Sequence, residues 1–123
     1  MGNLTKNFSR SEFACKGQQC CGHSAPINPD LVDALQLLRD RIGTPLIINS
    51  GFRCIKHNTE TPEAAHDSQH CLGLAADVAL PIGVSIDTFL NLARSIYAFS
   101  GIGIGISFLH LDIGRPQRIE WTY

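Results

Sequence analysis

The run Ser68-Gln69-His70-Cys71-Leu72-Gly73-Leu74-Ala75-Ala76-Asp77 sets an imidazole seven residues ahead of a carboxylate, and His110-Leu111-Asp112 supplies a second imidazole far downstream. An aspartate inside an otherwise small and apolar strand is costly when buried, ionised and unpaired, whereas a divalent cation offsets that cost directly. Gly73 between His70 and Asp77 lets the backbone turn so that the two side chains converge. With His110 as a third donor from a separate strand, the set suits a zinc ion whose fourth position stays open to water, an arrangement that points to hydrolysis. Any fold that satisfies it must lay distant segments side by side. The plainer alternative for Asp77 is an ion pair with Arg53, and His57 and His66 read as ordinary surface or core histidines.

A chain of 123 residues with 44% apolar and 17% charged residues has material for one core, so residues 1–123 read as a single domain. Ten Lys and Arg stand against eleven Asp and Glu without blocks of one sign, which leaves no electrostatic footprint for nucleic acid. Acidic membrane surfaces are equally unsupported. The opening Met1-Gly2-Asn3-Leu4-Thr5-Lys6-Asn7-Phe8 has no apolar run of signal-peptide length, and Lys6 breaks the myristoylation pattern. Nowhere do about eighteen apolar residues follow one another as a membrane span requires. The expectation is synthesis in the cytoplasm without a signal peptide.

Five cysteines make an odd set, so at least one lies outside any internal disulfide. Cys15, Cys20, Cys21 and His23 are close enough to hold a second, structural metal, but they lack the CxxC spacing that marks such sites. Reduced cysteines packed as small apolar groups are the simpler reading, for Cys54 and Cys71 as well. Those two flank Arg53 and His70, and would permit an oxidised staple near the site if the protein works outside the cell.

Ser9 with Glu12 three residues on has the form of a capping box opening a short helical turn. Asn28 ahead of Pro29, then Leu31, Leu35, Leu38 and Ile42, and finally Gly43 predict an amphipathic helix over residues 29–42. Leu46-Ile47-Ile48-Asn49 reads as a short buried strand, with Ser50-Gly51 turning the chain toward Phe52 and Arg53, and residues 54–70 read as a long functional loop. The alternation from Leu74 to Leu80 predicts a strand with Asp77 on its small-residue face. Ser85 caps a second helix carrying Ile86, Phe89, Leu90, Ala93, Ile96 and Tyr97 on one side and ending near Ser100-Gly101. Residues 102–106 and 108–113 read as two neighbouring strands, the second placing His110 and Asp112 on one face. These elements make an α+β domain, a small and largely antiparallel sheet flanked by two main helices.

Phe8-Ser9-Arg10-Ser11-Glu12-Phe13, Ile48-Asn49-Ser50-Gly51-Phe52-Arg53, the SxHxxGxAxD pattern of Ser68 to Asp77, and Phe108-Leu109-His110-Leu111-Asp112 with Trp121 downstream resemble the zinc D-Ala-D-Ala carboxypeptidase and murein endopeptidase family, peptidase M15. The likeness is to its small single-domain branch of phage, prophage and bacterial enzymes. It implies the hedgehog/DD-peptidase fold and a zinc peptidase acting on peptidoglycan stem peptides or cross-links. It further implies His70, Asp77 and His110 as zinc ligands and Arg53 as the cation that meets the substrate. By its chemistry, the planar fork of Arg53 suits a substrate carboxylate or the oxyanion, the plainer alternative being a surface arginine that closes a turn, and Ser68 and Gln69 can hydrogen-bond the peptide. A phage endolysin or virion-borne hydrolase would reconcile a wall substrate with the missing export signal.

Zinc lowers the pKa of its water toward about 7 and polarises the scissile carbonyl, yet a general base is still needed. Many members of that family carry Glu or Asp three residues before the last zinc histidine, where this chain has Ser107. Asp112, on the same side of its strand as His110, is the leading candidate for that base, with orientation of a ligand as the alternative; direct binding of zinc is a third role, disfavoured by the three donors already assigned. Trp121 and Phe52 either line a cleft or pack in the core. Two readings of other classes stand beside the peptidase. One is a zinc-containing wall-binding or protein-binding module without catalysis, and the other is a thiol-based metal or redox protein.

Overall fold

The computed structural model describes residues 4–14, 27–51 and 73–123. Arg53, Ser68, Gln69, His70, the five cysteines, His23, His57, His66 and the expected 54–70 loop lie outside those residues.

Helix α1, Pro29–Ile42, forms where its end signals place it. The Asn28 side chain accepts from the Asp30 amide at 2.8 Å, Pro29 occupies the first turn, and Gly43 closes the helix in the left-handed region at φ 73°. Its apolar face, Leu31, Val32, Ala34, Leu35 and Leu38, is buried. Before it, Arg10–Phe13 makes a single 3-10 turn with the capping box of Ser9 and Glu12 formed. Gln36 of α1 holds this N-terminal segment through Asn7 and the Thr5 hydroxyl.

Helix α2 spans Ile86–Arg94, capped by the Ser85 hydroxyl on the Thr88 amide, and is shorter than its periodicity suggests. Ser95 ends it, since its hydroxyl turns back on the Leu92 carbonyl while Arg41 of α1 donates to the Ser95 carbonyl and hydroxyl. Ile96 and Phe99 remain buried in the following turn, but Tyr97 is almost wholly exposed. The helical spacing of Ile96 and Tyr97 therefore does not mark one buried face.

Five strands form one sheet: β1 Ile48–Ser50, β2 Ala75–Ala79, β3 Gly101–Ile104, β4 Phe108–Asp112 and β5 Ile119–Thr122, in the order β1-β2-β4-β3-β5. All neighbours are antiparallel except β3 and β5. The expected α+β architecture with a largely antiparallel sheet is the one observed. Sequence reading did not anticipate β5, because its four residues are mostly exposed and carry no buried alternation.

One face of the sheet, with Ala76, Val78, Ile102, Leu109 and Leu111, joins the buried residues of both helices in a single core cluster. Phe8 and Phe13, with ring centroids 5.9 Å apart, belong to the same cluster. Gly51 serves close approach rather than a left-handed turn, since a Cβ there would lie 2.6 Å from Cα of Phe13. No described helix is long and apolar enough to cross a membrane.

Candidate active site

The other face of the sheet carries a row of residues in register: Ser50 opposite Asp77, Asp77 opposite His110, His110 opposite Gly103, and Gly103 opposite Trp121. A second row runs beside it through Ala75, Asp112, Gly101 and Ile119. Strand period two and antiparallel pairing put Asp77, His110 and Asp112 on this one face, away from the core. Gly73, at φ 73°, turns the chain into β2 and accepts from the Asn28 amide at 2.9 Å.

His110 is buried and touches a carboxylate with each ring nitrogen. Nδ1 lies 3.0 Å from Oδ1 of Asp77, and Nε2 lies 2.7 Å from Oδ2 of Asp112. Burial opposes a charge on the ring, but the hydrogen bonds to Asp112 and Asp77 outweigh it and hold His110 above the ordinary imidazole range. Asp112 has no exposed surface, and its two oxygens are gripped by Arg115, Nε at 2.8 Å from Oδ1 and Nη2 at 2.9 Å from Oδ2. Burial works against its ionisation, yet the bonds from His110 and Arg115 keep it below the usual carboxylate range. Among the described residues, the imidazole thus lies between two carboxylates, of which Asp112 is paired with Arg115.

Sequence reading missed Arg115 and left the place of Trp121 open. The Trp121 ring lies 5.2 Å from that of His110, and the Arg115 guanidinium carbon lies 5.2 Å from the Trp121 ring centre on the cation–π contact. The signal that could have found this arrangement is Gly101-Ile102-Gly103-Ile104-Gly105, where the isoleucines face the core side and the glycines the site. A Cβ at Gly101 would overlap the Asp112 carboxylate, one at Gly103 would come 2.8 Å from the Trp121 indole, and one at Gly105 would overlap the Phe108 ring. The bare surface of β3 thus lets these side chains lie flat on it.

Among the described residues Asp77 and His110 are the candidate metal donors; His70 lies outside them, and no group of three metal-binding side chains suited to an ion occurs among those described. Nitrogen and oxygen donors of one tetrahedral zinc, each about 2.0–2.1 Å from the ion, sit roughly 3.3 Å apart. The 3.0 Å between Nδ1 and Oδ1 needs to widen by only a few tenths of an ångström. The donor pair and the carboxylate behind the imidazole therefore fit such an ion. Ser107, by contrast, is exposed in the connection between β3 and β4, its carbonyl taken by the Leu80 amide.

No curated protein matches this sequence. Residues 6–112, which include the SxHxxGxAxD segment, β2 and β4, match the model of the family described as Peptidase M15, and the chain therefore belongs to that peptidase family.

Proposed function

We propose that this chain is a zinc metallopeptidase that hydrolyses peptide bonds in peptidoglycan stem peptides or cross-links, of the D-Ala-D-Ala carboxypeptidase or endopeptidase type. The observation that carries the reading is the pairing of Asp77 Oδ1 with His110 Nδ1 at 3.0 Å while the other imidazole nitrogen is committed to Asp112. His70, Asp77 and His110 would hold the ion, and when bound it supplies a Lewis acid and a water of lowered pKa. Arg53 would meet the substrate carboxylate or the developing oxyanion, with Ser68 and Gln69 bonding the peptide.

Of the roles open to Asp112, its geometry favours orientation of His110. Both of its oxygens are engaged and its side chain has no exposed surface, so it would fix Nε2 as the donor and present Nδ1 toward the ion. The base for the attacking water then comes from elsewhere in the chain. Release at lysis or carriage on a virion would bring the protein to the wall.

Metal analysis of the purified protein together with digestion of purified peptidoglycan tests the reading. Stoichiometric zinc and release of peptide products, both lost in His110→Ala with the fold retained, is the expected result. A second reading, a zinc-containing wall-binding module without catalysis, draws on Ser107, exposed here, standing where many members of the family carry an acid. It predicts zinc and retention on the wall with no product.

A further inference from the structure

We propose that Arg115 is a positioning residue for the metal site, acting through Asp112 on His110; the proposal rests on the reading that Asp77 and His110 hold zinc. The guanidinium spans both Asp112 oxygens, with Nε at 2.8 Å from Oδ1 and 3.1 Å from Oδ2 and Nη2 at 2.9 Å from Oδ2. That fork leaves Asp112 one orientation, in which Oδ2 meets Nε2 of His110 at 2.7 Å. The ring can then rotate neither nitrogen away, and Nδ1 stays beside Asp77.

Three features make this a built arrangement rather than a chance ion pair. Asp112 is fully buried while Arg115 is about a quarter exposed, so the arginine closes the site from outside. Ser100 fixes the arginine's backbone, its hydroxyl accepting from the Arg115 amide at 3.0 Å while its own amide donates to the Asp112 carbonyl at 2.8 Å. Trp121 lies against both Arg115 and His110 at 5.2 Å each. Arg115 and Trp121 both follow Asp112, the last residue matched by the family model, so this outer wall lies in a segment the match does not cover. A lysine could neutralise Asp112 but could not hold both oxygens in one plane.

Trp121 is the only tryptophan of the chain, so its fluorescence reports zinc titrated into the metal-free protein, with affinity fixed by competition against a chromophoric chelator. Arg115→Ala is expected to weaken zinc roughly 10- to 100-fold. Arg115→Lys, which keeps the charge, is expected to unfold at nearly the temperature of the unaltered metal-free protein and still bind zinc several-fold more weakly. In an Asp112→Ala background, which leaves the guanidinium no carboxylate at position 112 to hold, Arg115→Ala should cost nothing further. Unaltered zinc affinity in Arg115→Lys and Arg115→Ala overturns the proposal, as does an equal loss in both backgrounds, and Arg115→Lys decides alone should the alanine variant not fold. If the unaltered chain binds no zinc, the metal reading falls and this proposal with it; if it binds zinc and the variants match it, only the role of Arg115 falls.

Discussion

Asp77 and His110 face each other across β2 and β4 as register partners, with Oδ1 and Nδ1 3.0 Å apart, although they are 33 residues apart in the chain. The pair sits on the sheet face opposite the core, so its chemistry can be altered without opening the apolar cluster. Asp77→Asn keeps the size of the side chain but removes its charge. We expect zinc to bind more than about 100-fold more weakly, beyond the cost of losing an orienting partner, and peptide hydrolysis to fall to background. Calorimetric zinc titration beside a peptidoglycan digest checks both, and wild-type affinity would remove Asp77 from the ligand set.

Removal of the metal should abolish activity and leave the fold. The core cluster draws on both helices and the far face of the sheet, and none of its members is a proposed ligand. Chelation is therefore expected to leave far-UV circular dichroism unchanged while lowering Tm, because a ligand at a hundredfold excess over Kd adds about 2.7 kcal/mol to the bound form. Activity should return with zinc. Loss of the helical signal on chelation would show instead that the metal holds the fold.

The glycines of β3 give a graded test of how closely the site is covered. In Gly101→Ala the new methyl meets a buried, hydrogen-bonded carboxylate that has nowhere to move, whereas in Gly103→Ala it meets the half-buried indole of an edge strand. Overpacking costs about 1–3 kcal/mol, and displacing Asp112 from its partners adds to it. Gly101→Ala should thus lose more stability and more zinc affinity than Gly103→Ala. Urea unfolding with a parallel zinc titration measures both, and the reverse order would contradict the packing described.

Arg118 ties β5 to the end of α2. Its Nε donates to the Phe99 carbonyl at 3.0 Å, and Nη1 and Nη2 donate to the carbonyls of Arg94 and Ile96, each at 2.9 Å. Arg118→Ala leaves three carbonyls without this donor and should cost roughly 2–3 kcal/mol, given about 1.5–3 kcal/mol for a hydrogen bond to a charged group. Because β5 carries Trp121, the indole emission should also shift. An unchanged midpoint in urea would show that these contacts are not stabilising.

Glu120 and Arg94 make an exposed ion pair at 2.7 Å, and the hydrogen bond from Arg94 holds the Glu120 carboxyl below its usual range. A carboxyl lowered in the folded state adds stability above its unfolded pKa of about 4.3, and that stability is lost as pH falls through the folded value. Glu120→Gln should therefore lower Tm slightly at neutral pH, with the difference shrinking below about pH 4. Thermal melts of both proteins from pH 7 to pH 3 check this, and a gap that widened in acid would reverse the sign.

Helix α1, the strands around Asp77 and His110, and the common face of His110 and Asp112 were legible from residue order, because caps and side-chain periodicity act within a few neighbours. The length of α2 was not, since its end is set by Arg41 reaching Ser95 from another helix. Strand β5 was equally hidden, as its exposed residues are placed by pairing with β3 and by arginine contacts from a distance.

The two faces of each central strand, and hence which side bears chemistry, were thus written locally in alternating residues. Only the assembled sheet decided that Asp112 stands behind His110 under the Arg115 fork, and that Trp121 covers them over a strand stripped to glycine. The reason is that burial and hydrogen-bond partners of a carboxylate depend on which strands lie beside it, and strand order is settled by long-range packing.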